Sequence, residues 1–298
     1  MTTIGVIGLG HMGRHMAQNL LVSHRVIGFD LNQTSLDGFV AAGGSAAASI
    51  AALAREADVV VTSLPKGTHV QSVFLGPDGV IENAGPGKLF IDCSTIDLAT
   101  SREVAELAGQ AGSEFIDAPV SGGETGATAG TLSFMVGGTE AAFERAKPVL
   151  AKMGTNLYHV GDNGSGLAVK LVNNMLLGIC MAATGEALNL IEHLGVDPAK
   201  FHAIASTSTG ANWALTKNPP VAGLVDGAPA SNDFRPGFAS ALMLKDLGLS
   251  QTVASDVHAP TPLGALAHSI YSMVCGNGLA DEDMSAVIKL YSAPAETR

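Results

Sequence analysis

Thr3-Ile4-Gly5-Val6-Ile7-Gly8-Leu9-Gly10-His11-Met12-Gly13 runs from a β-branched segment straight into a glycine-rich turn. Gly8, Gly10 and Gly13 fit Gly-x-Gly-x-x-Gly between a predicted strand and a predicted helix, the context in which this pattern binds a dinucleotide. Each glycine then has a task. Gly8 makes the sharp turn, Gly10 lets a pyrophosphate approach the backbone, and Gly13 lets the helix pack close to the strand. The phosphates would meet the unpaired N–H groups and positive end of that helix, with His11 and Met12 in the same turn as cofactor contacts. An ordinary glycine turn is the plainer reading.

Asp30 ends the second predicted strand, roughly 20 residues further on, where an acidic side chain bonds the adenine ribose hydroxyls. A carboxylate there repels a 2′-phosphate, and Leu31-Asn32-Gln33 offers no Arg to neutralise one. NAD is therefore expected over NADP, with Asn32 beside Asp30 in the cofactor site. A helix cap or solvated turn residue is the alternative for Asp30. His11 and His15 have the i, i+4 spacing of a metal pair, but His11 falls inside the phosphate turn and no third ligand is in view, so no metal is expected.

Working outward, β-branched runs alternate with helical patterns up to about Val160. Strands are predicted at Ile4–Ile7, Arg25–Phe29, Val59–Thr62, Leu89–Asp92, Glu114–Asp117, Leu132–Val136 and Asn156–His159. This grammar predicts a doubly wound, mostly parallel sheet of Rossmann type with helices on both faces. After Asp162 it changes: apolar positions recur at helical spacing from Leu167 through Leu171, Met175, Ile179, Ala183 and Ala187 to Ile191. That spacing predicts one helix of nearly thirty residues, about 45 Å long. Asp197-Pro198 reads as an N-cap with Pro at the first helical position, and further helices are predicted over 198–206, 238–255, 260–275 and 283–291. The fold class is thus α/β, with an NAD-binding domain at 1–163 and an all-helical substrate and oligomerisation domain at 164–298, joined by the long helix.

Composition narrows the partners. The 298 residues carry 16 Lys plus Arg against 27 Asp plus Glu, a net charge of −11 that argues against a nucleic-acid surface. With 47% hydrophobic residues, sizeable cores are available. Cys93, Cys180 and Cys275 are too few and too scattered for a disulfide framework or zinc cluster. The uncharged run at Leu171–Gly185 falls short of a span of about 20 apolar residues and reads as a buried helix. No basic leader or cleavage site precedes the first strand, and a reducing, cytoplasmic location is expected.

Several further motifs follow in a set order: Met16-Ala17-Gln18-Asn19-Leu20, Ser63-Leu64-Pro65, Asp92-Cys93-Ser94-Thr95-Ile96, Asp117-Ala118-Pro119-Val120-Ser121-Gly122-Gly123, Gly164-Ser165-Gly166, Lys170-Leu171-Val172-Asn173-Asn174 and Lys245-Asp246-Leu247. Together with the opening turn they resemble the β-hydroxyacid dehydrogenase family over essentially the whole chain. Asn212-Trp213-Ala214-Leu215, Asn218-Pro219 and Ala228-Pro229-Ala230-Ser231 resemble its 3-hydroxyisobutyrate dehydrogenase branch, which works in valine degradation. The resemblance implies NAD-dependent oxidation of a small 3-hydroxy acid, 3-hydroxyisobutyrate to methylmalonate semialdehyde first. L-serine, tartronate semialdehyde and succinic semialdehyde are the substrates of close relatives. It also implies that Leu64, Pro65 and Thr95 line the nicotinamide half of the cofactor cleft and that Lys245 contacts the cofactor.

Hydride leaves an alcohol carbon only as the hydroxyl proton is lost, so the site needs a group to accept that proton. Lys170 is the sole charged residue from Leu167 to Gly185 and the expected general acid/base. Desolvation and a cationic nicotinamide would both lower its pKa. An ammonium held by a surface carboxylate is the bland alternative. Asn173 and Asn174 share its helix face at i+3 and i+4. Asn174 is expected to bond the substrate hydroxyl and align Lys170; the role of Asn173 is open. Ser121, Gly122 and Gly123 would form an anion nest for the substrate carboxylate, or a plain turn. Trp213 and Phe238 either wall the substrate pocket or belong to the core. Asp246 either orients Lys245 or makes a surface ion pair, and Cys93 lacks any neighbour that would generate a thiolate.

Rival functions are an imine reductase on the same scaffold and a non-catalytic NAD-binding sensor. The long helix is too apolar to be covered by the helical half alone, so a homodimer or homotetramer is expected.

Overall fold

The β-branched runs form strands where the pattern places them. The structure, a computed structural model, describes residues 2–291. Its strands are β1 (Thr3–Ile7), β2 (Arg25–Phe29), β3 (Ser45–Ala46), β4 (Val59–Thr62), β5 (Leu89–Asp92), β6 (Glu114–Asp117), β7 (Val120–Ser121), β8 (Leu132–Gly137) and β9 (Gly154–Gly161). The two-residue strands β3 and β7 were not expected; a pair of residues shows no alternation to read.

β3-β2-β1-β4-β5-β6 are parallel neighbours in that order, β8 reverses against β6, and β7 and β9 both pair with β8. The order turns back between β1 and β4, and ligands of open α/β sheets bind beyond the carboxyl ends of the strands at such a point. Helices cover both faces, so the central strands β1, β4 and β5 are apolar on both sides. Ile4, Val6, Val59, Val61, Leu89 and Ile91 pack on one face, and Ile7, Val60, Phe90 and Phe115 on the other. Gly5 sits between Ile4 and Val6 because a Cβ there would overlap the Leu53 side chain.

The chain divides into two compact units between Lys170 and Leu171, inside the long helix Ser165–His193. That helix has 29 residues, as its periodicity predicts. By length and a mean hydropathy of 1.6 it is long and apolar enough to cross a membrane, which the shorter uncharged run alone did not suggest. Its Met181 and Ala182 pack into the core of the second unit with Met243, Leu247, Ala267 and Tyr271. Helices Pro198–Ala205, Ser240–Asp256 and Pro262–Val274 lie where expected, and Asp197 caps the first through Ala199 N. The segment 283–291 differs: Met284–Leu290 is a 3₁₀ helix, tightened at its start by Asp283, which accepts from both the backbone N and the hydroxyl of Ser285. The short helix Trp213–Lys217 was also unexpected; Asn212 caps it through Leu215 N.

Candidate active site

The glycine turn joins β1 to the helix Gly13–Leu21 at the reversal of strand order. Gly8 has φ +93°, and a Cβ there would overlap the Ser63 carbonyl oxygen. A Cβ on Gly13 would overlap the Gly8 carbonyl oxygen, so both are glycine for the fold's own sake. Gly10 is different. Nothing lies within 4 Å of a Cβ built there, so this position faces open space. The helix that follows has no side-chain cap on its first turn; Arg14 N already donates to Gly10 O at 3.1 Å, and a helix start without a side-chain cap is a place for an anion. A space kept clear above uncapped amides fits a dinucleotide pyrophosphate. His11 stands with an 86% exposed side chain, and Met12, the N-cap, packs against the first core cluster.

Asp30 is held against this turn. One oxygen accepts from Leu9 N at 2.6 Å and the other from Asn32 N at 2.7 Å. Asn32 in turn caps the helix Gln33–Ala41, accepting from Thr34 N and Ser35 N, so its oxygen serves the fold.

Leu64 and Pro65 leave the end of β4, next to the turn. The Leu64 N–H bonds Ser94 Oγ at 2.9 Å, and Ser94 Oγ donates to Asp92 Oδ1 at 2.5 Å. Thr62 also donates to Asp92 Oδ1, at 2.7 Å. Burial raises the Asp92 pKa, against hydrogen bonds from Ser94 and Thr62 that lower it. Sequence reasoning named the Asp92–Thr95 segment but not this buried relay, which ties the ends of β4 and β5 together. Thr95 follows, half-buried. Cys93 is packing, as expected: burial pushes its thiol far up.

Ser121 pairs with Ser133 at the end of β7. Gly122 and Gly123 both have positive φ, +126° and +61°, a turn that L side chains rarely make. Glu124, the next residue, was missed. It accepts a hydrogen bond from Arg14 and lies 3.2 Å from His15 Nε2 and 3.8 Å from His11 Nδ1. It thus ties the helix behind the phosphate turn to the Ser121–Gly123 turn. Burial raises its pKa, but hydrogen bonds from His15 and Arg14 outweigh that and leave it lowered.

Lys170 is 8% exposed on the second turn of the long helix. In the second unit Asn174 is 1% exposed and donates from Nδ2 to Asp246 Oδ2, while its Oδ1 accepts from Asn173 at 3.1 Å. Asp246 is 2% exposed and pairs with Lys245 at 3.2 Å, which removes the surface ion pair as a reading for it. Phe238 is part of the second unit's core margin, with its N–H held by Asp283 Oδ2 at 3.0 Å. Trp213 is 54% exposed and so is not plain core. Asp283 also accepts from Asn218 and Gly237 N, a buried hub that no sequence motif marked.

Residues 3–161 match the family described as the NAD binding domain of 6-phosphogluconate dehydrogenase, and residues 164–291 that described as NAD-binding of NADP-dependent 3-hydroxyisobutyrate dehydrogenase. A 3-hydroxyisobutyrate dehydrogenase of Pseudomonas aeruginosa is 48% identical, covering 98% of this chain and 99% of its own. An NAD-dependent L-serine dehydrogenase of the same organism is 44% identical, covering 98% of each. The structure of Mycobacterium tuberculosis 3-hydroxyisobutyrate dehydrogenase with L-serine superposes with a TM-score of 0.93 at 44% identity, covering 98% of this chain and 100% of that one.

Proposed function

The chain belongs to the β-hydroxyacid dehydrogenase family, and on that premise we propose that it oxidises 3-hydroxyisobutyrate to methylmalonate semialdehyde, with Lys170 taking the hydroxyl proton. It is an NAD-dependent oxidoreductase acting on a CH–OH group. The observation that carries the Lys170 reading is a lysine only 8% exposed, the one charge in an otherwise uncharged stretch of helix.

NAD supplies the hydride acceptor when bound. Gly10 leaves room for its pyrophosphate, the start of the helix Gly13–Leu21, which has no side-chain cap, would face its charge, and Asp30 would offer acceptors for the ribose hydroxyls. Leu64, Pro65 and Thr95 would bound its nicotinamide end, with Lys245 as a further contact. Ser121, Gly122 and Gly123 would take the substrate carboxylate through a hydroxyl and open N–H groups. Trp213 and Phe238 would supply apolar walls. Asn174 would present its amide to the substrate hydroxyl, held in one orientation by Asp246.

L-serine is the second reading, favoured by the 44% identical L-serine dehydrogenase and by the L-serine named with the similar solved structure. A panel of (S)- and (R)-3-hydroxyisobutyrate, L-serine, D-glycerate and 4-hydroxybutyrate with NAD and NADP, compared by kcat/KM, decides between them. A higher kcat/KM for L-serine than for either 3-hydroxyisobutyrate enantiomer would reverse the assignment.

The domain division at 163/164, a cytoplasmic location and a homodimer or homotetramer complete the proposal. The oligomer reading rests on Leu176, Leu190, Leu263 and Leu266, each more than half exposed on the helices Ser165–His193 and Pro262–Val274. Sedimentation as a monomer at micromolar concentration contradicts it.

A further inference from the structure

Asp117 ends β6 and is fully buried, yet it makes no ion pair among the described residues. Its carboxylate is spent on backbone. Oδ1 accepts from Gly164 N at 2.6 Å and Oδ2 from Leu167 N at 2.8 Å, the amides that open the long helix. Lys170 lies one turn beyond Leu167.

The surroundings are shaped around this carboxylate. A Cβ on Gly137 would come within 2.5 Å of Asp117 Oδ1 and 2.8 Å of Oδ2. One on Gly166 would overlap the Met135 carbonyl oxygen and lie 2.9 Å from Asp117 Oδ2. The helix start is fastened a second time by Asn163, whose Nδ2 donates to Phe115 O at 2.8 Å. Two adjacent residues of the turn before the helix are therefore tied to β6, and the helix cannot rotate or slide at its beginning without breaking buried bonds.

We infer that Asp117 is a positioning residue of the reaction, setting the first turn of the long helix on the end of β6 and thereby the place from which Lys170 acts. The inference rests on the reading of Lys170 as general acid/base. Asp117 does not itself reach substrate, since it has no exposed surface and both oxygens are taken. Burial raises its pKa, against the lowering hydrogen bonds from Gly164, Leu167 and Gly166. Asparagine is nearly the same size but has one acceptor oxygen. Its NH₂ would face a backbone N–H, so one of the two amides loses its partner and the helix start shifts.

The test uses full-length Asp117→Asn, Asn163→Ala and Lys170→Ala proteins. It measures kcat and KM for 3-hydroxyisobutyrate, NADH affinity by nicotinamide fluorescence, melting temperature, and hydrogen exchange at Gly164–Leu167. A displacement of about 1 Å at a catalytic group costs about 100-fold, so Asp117→Asn should lower kcat by about 10- to 100-fold. KM and NADH affinity should stay within about twofold, with faster exchange at the helix start. Unchanged kcat overturns the inference, and so does a loss of kcat that tracks NADH affinity and melting temperature, which marks general damage. If Asp117→Asn does not fold, Asn163→Ala decides: a selective fall in kcat supports the anchor and an unaltered kcat refutes it. Lys170→Ala separates the two levels. Full turnover in that variant refutes the Lys170 reading itself, whereas an inactive Lys170→Ala beside a fully active Asp117→Asn refutes only the positioning role.

Discussion

Asn174 donates a 2.6 Å hydrogen bond from Nδ2 to Oδ2 of Asp246, and so its amide is oriented by a carboxylate that is itself buried. The other oxygen of Asp246 pairs with Lys245, so one buried carboxylate sets the geometry of two other side chains.

Asp246→Ala leaves both Asn174 and Lys245 without this acceptor. Hydrogen bonds to charged groups are worth about 1.5–3 kcal/mol, so kcat/KM should fall about 10- to 100-fold. Asp246→Asn keeps one acceptor and should lose less. Steady-state kinetics on both variants check the order.

Gly10→Ala and Gly13→Ala should separate binding from folding. A Cβ at Gly10 meets nothing within 4 Å, so the melting temperature should hold while NADH affinity falls by about tenfold or more. At Gly13 it would overlap the Gly8 carbonyl oxygen, so stability should drop, by about 1–3 kcal/mol as for other overpacking. Thermal melts with and without NADH read both.

Asp30→Ser should weaken NAD while relieving repulsion of a 2′-phosphate, so the ratio of kcat/KM for NADP to that for NAD should rise about tenfold or more. Because Asp30 also holds Leu9 N, some loss of NAD affinity will come from a looser turn. An unchanged ratio would remove Asp30 from cofactor choice.

Glu124 gives a pH dependence with a definite sign. Its folded pKa lies below the ordinary 4.5, so its contribution to stability is present above pH 4.5 and is lost as pH falls through the lowered folded value. Glu124→Gln should therefore melt below the wild type at neutral pH, and the gap should close on acidification below pH 4.5. Melting curves across pH 3–7 check it; a gap that widens in acid contradicts the assignment.

Six of the seven longer strands were legible as apolar runs largely buried in the sheet, β9 as a β-branched and aromatic run that is mostly exposed, and the long helix by helical spacing from Leu167 to Ile191. The phosphate turn was legible because its three glycines fall at fixed offsets between a strand and a helix. What escaped was carried by partners distant in sequence. Glu124 matters through Arg14 and His15, and Asp246 through Asn174. Asp283 matters through Asn218 and Phe238 N, and no local pattern announces such pairings. Asn32, beside Asp30, also caps a helix with its Oδ1, a use the local pattern did not mark.

Gly5 has a wider meaning for how this molecule keeps count. Strands greasy on both sides give little penalty for sliding past a neighbour, since one valine replaces another. A single missing methyl group, into which Leu53 fits, supplies the reference mark. Gly8 lies three residues along from it, so the notch that receives the leucine also dictates where the chain turns, and filling it would displace the dinucleotide cradle before any cradle residue was touched.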